Sequence, residues 1–289
     1  MSKLSVVLAT FNEEKNIRDC LNSVKDIAQE IIIVDGGSED NTVKIAKEFG
    51  AKILVTTNPP IFHINKQKAL NQASNEWILQ LDADERVTSA LAKEIVKVIS
   101  FSNNEIEKYQ DTLEKKELFL RHSKLLEKRN GKLEKHSDEY VAFFIPRLNY
   151  FLGKYLRYGG VYPDGVIRLV KRNKAYFPCI NVHEQIAVVG KIGWLHNDLI
   201  HMADPTFSRY LLRWQRYTSL QAREIKNSKE LAVTKFIRNI FLEPISWFFL
   251  TFFRHKGILD LWPGFVFSLF SSLRFPAAYI KSLFLQRMQ

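Results

Sequence analysis

Cysteine is scarce in this chain of 289 residues, which contains only Cys20 and Cys179. Two cysteines so far apart support neither a disulfide framework nor a cysteine-rich zinc site, and they suit a reducing compartment. The first twelve residues also lack a basic segment followed by a long apolar run and a small-residue cleavage site. We therefore expect no secretory signal and a cytosolic N-terminus.

The last third of the chain lacks an uninterrupted apolar run of the roughly 20 residues that a membrane-spanning helix needs. Its apolar stretches, among them WFFLTFF and LWPGFVFSLF, are broken by charged residues and prolines: Glu243, Pro244, Arg254, His255, Lys256, Asp260, Pro263 and Arg274. Acidic residues are also few here, since residues 200–289 carry 13 Lys and Arg against 5 Asp and Glu. Aromatic side chains beside basic ones are typical of a surface that meets anionic lipid.

We therefore predict that residues 201–289 form a helical, amphipathic region that lies at a membrane surface. The alternative is an ordinary helical core that packs on the main domain, because aromatic stripes are often core. Nucleic acid is not an expected partner, since the basic residues are interleaved with large aliphatic runs rather than with polar contacts.

Strand-like and helix-like segments alternate through the first hundred residues. The runs LSVVLAT, EIIIVDGG, AKILVT and EWILQLDAD are typical of buried strands, and the stretches between them have helical spacing. This alternation indicates an α/β fold with a mostly parallel sheet and helices on both faces. With 46% hydrophobic residues the chain can bury a full domain, which we place at residues 1–200.

Residues 101–140 interrupt this alternation. They carry 9 basic and 9 acidic residues with few β-branched ones, which predicts a solvated helical insertion. Strand-like runs resume after it in YVAFFIPRLNYFLG and GVIRLVKRNKAYF.

Polar clusters follow three of the predicted strands: TFNEE, DGGSED and DADE. Ligands of parallel sheets bind outside the carboxyl ends of the strands, so the three clusters predict one crevice. Hard divalent cations prefer oxygen ligands, and an Asp-x-Asp at a strand end supplies them. Taken alone, DAD is a common surface triplet, and Asp35 of DGG is as readily a turn or capping residue. The conjunction of the three clusters is what favours a ligand site.

The motifs VVLATFNEE, IIVDGGSEDNT and LQLDADE, in this order on these strands, resemble the inverting glycosyltransferases of family 2, which have the Rossmann-like GT-A fold. A further segment, YPDGVIRLVKRNKAYFPCINVHEQI, is similar to the branch that includes lipopolysaccharide inner-core β-1,4-glucosyltransferases. Two features depart from that branch. The insertion at 101–140 is longer, and Lys66 stands where an arginine is usual.

The resemblance implies how the matched residues hold a UDP-sugar. Asp84 would bind a divalent cation, Mg²⁺ or Mn²⁺, on the diphosphate, Lys66 would contact a phosphate, and Asp82 would touch the ribose. A cation there stabilises the negative charge that a diphosphate gains as it leaves. Glu85 is predicted to lie in the outer shell of the metal or to pair with Arg86 or another base. The uracil and ribose contacts would come from strand-end residues: Thr10, Asn12, Glu13 and Asp35.

An inverting transfer also needs a base near the acceptor hydroxyl. Many family 2 enzymes take it from a Glu-Asp or Asp-Asp pair, and no such pair stands between residues 140 and 198. We predict Glu184 as the base, with His183 supporting it or completing the metal shell. The alternative is that both residues only order the loop over the site. Arg168, through its planar fork, and His201 are predicted to contact the acceptor, with a surface ion pair as the alternative for Arg168.

These expectations describe a cytosolic enzyme on the inner face of the cell membrane. It would move a hexose from a UDP-sugar, with UDP-glucose favoured, to a lipid-linked glycan such as a lipopolysaccharide core. A sugar nucleotidyltransferase is the first alternative, but LSVVLAT is not followed by a glycine-rich loop with a downstream lysine. A non-catalytic, membrane-associated nucleotide-sugar-binding protein is the second, and it leaves DGGSED and DADE without a purpose.

Overall fold

The computed structural model describes residues 3–130, 137–179, 185–228 and 230–287. The chain divides into two compact units, of which the first comprises Met1–Arg147 and Pro163–His201. The second comprises Leu148–Tyr162 and Met202–Gln289. Residues 148–162 thus belong to the second unit. The division into a domain of residues 1–200 and a helical region of residues 201–289 stays a prediction.

Four parallel strands form one side of the sheet in the first unit. They are β1 (Leu4–Thr10), β2 (Glu30–Asp35), β3 (Lys52–Val55) and β4 (Trp77–Leu81). The helices between them are α1 (Glu14–Asn22), α2 (Thr42–Glu48) and α3 (His63–Gln72). The strand order is β3-β2-β1-β4. Because the order reverses at β1, the carboxyl ends of β1, β2 and β4 border a topological switch point, where α/β sheets bind ligands.

The remaining elements through residue 204 are three helices, the other strands of a mixed sheet, and two strands that form a separate small sheet. They are β5 (Glu85–Val87), α4 (Ser89–Val98), α5 (Asn103–Asp111), α6 (Lys116–Asn130), β6 (Tyr140–Phe151), β7 (Lys154–Leu156), β8 (Asp164–Lys171), β9 (Ala175–Tyr176), β10 (Ala187–Val188), β11 (Lys191–Trp194) and β12 (Leu199–Asp204). The sheet continues from β4 in the order β8-β6-β12-β5. Strand β8 pairs antiparallel with both β4 and β6, and β12 pairs antiparallel with β5. The predicted parallel arrangement therefore holds for β1 to β4. Beyond them β11 pairs parallel with β6, whereas β7 and β8 run antiparallel to β6.

Helices cover both faces of this sheet, as the sequence predicts. Alternation along β1 sends Leu4, Val6 and Leu8 to one core cluster, with α1 and α4, and Val7 to the other, with α3 and α6.

The charged insertion at 101–140 is not simply solvated. Its residues Ile106, Leu113 and Phe119 are buried, and Phe119 stacks on Trp194 with ring centroids 4.3 Å apart. Burial of one large apolar side chain is worth roughly 1.5–3 kcal/mol. The insertion therefore contributes to the core of the first unit.

The second unit is mainly helical. After α7 (Phe207–Asn227), a long helix runs through α8 (Ala232–Ile237), a π-helical turn (Arg238–Leu242), α9 (Glu243–Phe249) and a second π-helical turn (Leu250–Arg254). A 3₁₀ turn (Gly257–Asp260) leads to α10 (Leu261–Arg287). Phe236 meets Tyr279 and Phe252 meets Phe265, so the two long helices form an antiparallel hairpin.

Two helices in the described residues, Ala232–Arg254 and Gly257–Leu285, are long and apolar enough to cross a membrane by length and composition. Glu243, Pro244, Pro263 and Arg274 lie within these helices without ending them, whereas His255 and Lys256 stand at the break between the two. Pro244 lies inside this continuous helix, directly after the π-helical turn Arg238–Leu242.

Candidate active site

Asp82, at the carboxyl end of β4, is held by two cations. Its Oδ1 lies 2.5 Å from Lys66 Nζ of α3, and its Oδ2 lies 2.5 Å from Arg168 Nη2 of β8. Burial alone would raise the pKa of Asp82, but the charges of Arg168 and then Lys66 outweigh it and hold the pKa well below its usual range. The carboxylate is therefore ionised and fixed in orientation, while its side chain keeps 30% of its surface exposed.

Glu85 is the buried centre of this network, with none of its side chain exposed. Its Oε1 lies 2.8 Å from Arg168 Nη2 and 3.3 Å from Arg147 Nη1, and its Oε2 accepts from the backbone N–H of Asp82 at 3.0 Å. A buried carboxylate needs such partners, because desolvation without them is costly. The predicted ion pair with another base is confirmed, and the partners are two arginines rather than Arg86. Arg86 instead donates to its own loop, to the carbonyls of Ala83 and Glu85.

Arg168 is almost enclosed, with 9% of its side chain exposed. Besides Asp82 and Glu85, its Nη1 donates to Gln80 Oε1 at 2.6 Å. The guanidinium fork is thus occupied by three acceptors of the protein itself. With its guanidinium enclosed in this way, Arg168 is poorly placed for the predicted contact with the acceptor. The alternative, an ion pair, is present, but it is buried rather than on the surface.

His201 lies beside Asp84. Its Nε2 is 3.6 Å from Asp84 Oδ2, and the two side chains are 15% and 20% exposed. Strand pairing explains the contact, because β12 runs antiparallel to β5 with His201 opposite Glu85, the residue after Asp84. The structure therefore brings His201 to the predicted metal residue, whereas the sequence suggested only an acceptor contact for it.

The loops after β1 and β2 are joined through Asp35, which is fully buried. Its Oδ1 accepts from the hydroxyls of Thr10 and Ser38 at 2.8 and 2.7 Å. Its Oδ2 accepts from the backbone N–H groups of Gly37 and Ser38 at 3.0 and 2.7 Å. Four hydrogen bonds fill the acceptor positions of a carboxylate. Asp35 therefore orders the loop, and its direct contact with a base or ribose stays a prediction.

Asn12 continues this connection with a left-handed backbone, φ 55°. Asparagine adopts that region more readily than most residues. Its N–H donates to Ser38 Oγ at 2.8 Å, and its Oδ1 accepts from the Glu39 N–H at 2.9 Å. Glu13 follows at the start of α1, where its Oε2 accepts from Asn16 Nδ2 at 2.8 Å. The TFNEE and DGGSED motifs thus form one ordered rim of the crevice.

A divalent cation fits the donor set at Asp84 and His201. Among the described residues, no three His, Cys, Asp or Glu side chains surround one point. Mg²⁺ in nucleotide sites is usually held by one or two carboxylates together with substrate phosphates, rather than by an all-protein cage. A carboxylate and an imidazole 3.6 Å apart suit an ion whose other ligands come from a diphosphate. His183 and Glu184 lie outside the described residues.

An ordered strand-end rim at a switch point is where open α/β sheets bind nucleotide ligands. The chain matches the family model "Glycosyl transferase family 2" over residues 5–155 and belongs to that family. It is a glycosyltransferase with an α/β fold of the GT-A type and a helical C-terminal region.

Two relatives match most of the chain. An uncharacterized glycosyltransferase of Rickettsia typhi is 28% identical over 287 residues, which cover 95% of this chain and 85% of the relative. The lipopolysaccharide core biosynthesis glycosyltransferase LpsC of Rhizobium meliloti is 26% identical over 267 residues, which cover 88% of this chain and 82% of the relative.

Among solved structures, the chain is similar to glucosyl-3-phosphoglycerate synthase from Mycobacterium tuberculosis, crystallised with Mn²⁺, UDP and glucosyl-3-phosphoglycerate. The identity is 25%, the match covers 29% of this chain and 34% of that chain, and the TM-score is 0.27.

Proposed function

We propose that the protein transfers a hexose from a UDP-sugar, with UDP-glucose favoured, to a lipid-linked glycan such as a lipopolysaccharide core, with inversion at the sugar. The observation that carries this proposal is the pairing of Asp84 with His201 beside the ion-paired Asp82, at the switch point of a family 2 fold. The name of the relative LpsC supports the choice of acceptor.

Asp84 and His201 would hold a divalent cation, Mg²⁺ or Mn²⁺, which would supply positive charge to the diphosphate as it leaves. Asp82 would accept a hydrogen bond from the ribose, and Lys66 and Arg168 keep its carboxylate ionised and oriented. An ammonium group has three N–H donors, so Lys66 can contact a phosphate while it pairs with Asp82.

The rim formed by the two strand-end loops would receive the nucleoside. Thr10 and Asp35 act together in this proposal, because the Thr10 hydroxyl donates to the Asp35 carboxylate. Asn12 and Glu13 would line the uracil pocket from the same rim. In the loop after β2, Gly37 has φ +86°, a backbone conformation that glycine adopts readily and that allows a tight turn in the rim.

Glu184 would take the proton from the acceptor hydroxyl, with His183 supporting it. The support for this step comes from the sequence, since residues 140–198 offer no Glu-Asp or Asp-Asp pair. A general base has to lie within hydrogen-bond reach of that hydroxyl.

The enzyme would work at the inner face of the cell membrane, as a peripheral protein without a nucleic-acid partner. The basic balance of residues 200–289 and the many exposed apolar side chains of the second unit support this location. A lipid-linked acceptor would be reached at the same surface.

A panel of UDP-sugars tests the reaction directly. We expect UDP release from UDP-glucose in the presence of Mn²⁺ or Mg²⁺, faster transfer when a lipopolysaccharide core acceptor is added, and no turnover with a chelator. The proposal is overturned if no UDP-sugar is turned over and none shows metal-dependent binding. Release of pyrophosphate from a nucleoside triphosphate and a sugar phosphate would instead identify a nucleotidyltransferase.

A further inference from the structure

The long helix from Ala232 to Arg254 turns polar side chains inward. Lys235, Asn239 and Thr251 are 9%, 2% and 3% exposed, and Glu243 and Trp247 between them are half-buried. These five residues recur at every fourth position. A helix on the surface of a water-soluble protein shows the opposite pattern, with its apolar side inward.

The outward side of the same helix is apolar. Seven large side chains on it are between 44% and 61% exposed: Phe236, Ile237, Phe241, Leu242, Ile245, Phe249 and Phe253. Contiguous apolar surface of this extent on a single helix marks an interaction site rather than scattered surface residues.

Two π-helical turns keep the polar residues on one side. An α-helix has 3.6 residues per turn, so positions four apart drift by about 40° at each step. Over four steps, from Lys235 to Thr251, that drift would carry the polar stripe away from the inner side. The π-helical turns at Arg238–Leu242 and Leu250–Arg254 hold more residues per turn and offset the drift. The backbone is thus adapted to keep polar groups inside and apolar groups outside.

The partner helix α10 follows the same rule. Its buried positions include small polar residues, since Ser268, Ser271, Ser272 and Ser282 are all at most 8% exposed. Its exposed positions include Trp262 at 65% and others of similar character: Leu261, Ile280 and Phe284. Small and hydroxylated residues between helices with apolar residues outside are typical of helices packed in lipid.

Hydrogen bonds at the two ends of α10 bear on whether the hairpin lies in the plane of a membrane or crosses it. At one end, Lys226 Nζ of α7 donates to the carbonyl of Leu285 at 3.0 Å. At the other end, the N–H groups of Arg157 and Tyr158 donate to the Asp260 carboxylate at 2.9–3.2 Å. Both ends are therefore tied to segments with exposed polar surface.

Helix α7 carries exposed arginines on the side away from α10: Arg209, Arg216 and Arg223. A hairpin that crossed the bilayer would draw this helix into hydrocarbon, where charged side chains are costly. A hairpin that lies in the plane of the membrane keeps α7 in the headgroup and water layers.

We propose that residues 232–285, the apolar hairpin, are embedded in one leaflet of a phospholipid bilayer, parallel to its plane. The outward side of the helix from 232 to 254 contacts acyl chains. The arginines of α7, together with Arg254 and Lys256, lie among anionic headgroups, which matches the basic balance of this unit. The inference rests on the membrane location in the proposed function and specifies which side chains enter the lipid.

The test uses the full chain purified in mild detergent and added to preformed vesicles of phosphatidylcholine with about one-third phosphatidylglycerol. We expect the protein to float with the vesicles and to stay bound in 1 M NaCl, because salt screens attraction between charges but not apolar insertion. The double variant Leu242→Asp with Ile245→Asp should reduce the bound fraction at least tenfold. Leu212→Asp is the matched control, since Leu212 is 69% exposed on α7 and should leave binding unchanged.

Orientation is read by thiol labelling from outside the intact vesicles, in a chain with Cys179→Ser. Arg223→Cys and Lys256→Cys should both react with a membrane-impermeant maleimide. Protection of either thiol until detergent is added would show a crossing hairpin and overturn the proposal.

Two further results would also overturn it. One is native-like vesicle binding by the Leu242→Asp and Ile245→Asp variant. The other is a stable oligomer in the absence of lipid that this variant converts to monomers, because a second copy would then cover the apolar side. UDP binding measured on the same samples reports on the proposed reaction separately, since the inserted side chains play no part in it.

Discussion

His201 and Asp84 are brought together by strand register. The two side chains lie 3.6 Å apart because β12 pairs antiparallel with β5, more than a hundred residues earlier in the chain. A shift of the register by one residue would turn the imidazole to the other face of the sheet. The metal-binding pair that we propose is therefore a product of the fold and not of a local motif.

Replacing His201 by alanine should weaken metal-dependent UDP binding. We expect the Mn²⁺ concentration at half-saturation to rise at least about tenfold, since one protein donor is lost. Isothermal titration of UDP at fixed Mn²⁺ concentrations measures this shift. His255→Ala, which removes a histidine of the second unit, should leave binding unchanged. Equal binding by wild type and His201→Ala would remove His201 from the metal site.

Replacing Arg168 by methionine should destabilise the protein by about 3–5 kcal/mol, because Glu85 would be left buried with an incomplete set of partners. Urea unfolding measures this change, with the exposed Arg172→Met as the matched control, for which we expect almost no effect. The double variant Arg168→Met with Glu85→Gln should lose less than the sum of the single losses. Additive losses would contradict a direct interaction between the two side chains.

Acid should weaken the first unit through Glu30. Burial alone would raise the pKa of Glu30, but hydrogen bonds from Ser5 and Ser74 outweigh it and lower the pKa to about 2. A carboxyl whose pKa is lowered by folding stabilises the fold at pH values above its pKa in the unfolded chain. This contribution is lost as the pH falls from about 4.5 to about 2.

The variant Glu30→Gln tests this pH dependence. It should lose roughly 1.5–3 kcal/mol at pH 7, and its unfolding free energy should change less between pH 5 and pH 2 than that of the wild type. Denaturant unfolding at several pH values gives both numbers. Parallel pH curves for the two proteins would show that Glu30 is not the group responsible.

Glu184→Gln should retain metal-dependent UDP binding and lose sugar transfer, since an amide cannot take the proton from the hydroxyl group of the acceptor glycan. The measurement compares the UDP dissociation constant with the rate of product formation on the same preparation. Unchanged transfer would exclude Glu184 as the base, and loss of both activities would indicate that it orders the loop.

The strand ends of the candidate site were predictable from the sequence because parallel strands follow a local rule. Thr10, Asp35 and Asp82 each follow an apolar run, and parallel strands end at one edge, so their meeting requires only the alternation of strands and helices. The contacts of Arg168 were harder to predict from the sequence. Its position inside the apolar run VIRLV was a signal of burial, but its partners depend on the antiparallel pairing of β8 with β4.

The hairpin shows a second limit of local patterns. Counting charges and prolines between residues 241 and 289 suggested interrupted helices, yet Glu243 continues the helix because it belongs to the inward stripe. The signal was present in the spacing of Lys235, Asn239 and Glu243 at every fourth residue. It was obscured because a search for amphipathic helices assumes 3.6 residues per turn, and two π-helical turns change that number.

Metal-dependent UDP binding by the wild type and by Asp84→Ala is the most direct test of the proposed transferase. The account predicts that UDP binds the wild type at least tenfold more tightly with Mn²⁺ than with a chelator, and that Asp84→Ala abolishes this difference while keeping the wild-type unfolding transition. A metal dependence that persists in Asp84→Ala, or UDP binding by the wild type that does not respond to metal, would contradict it.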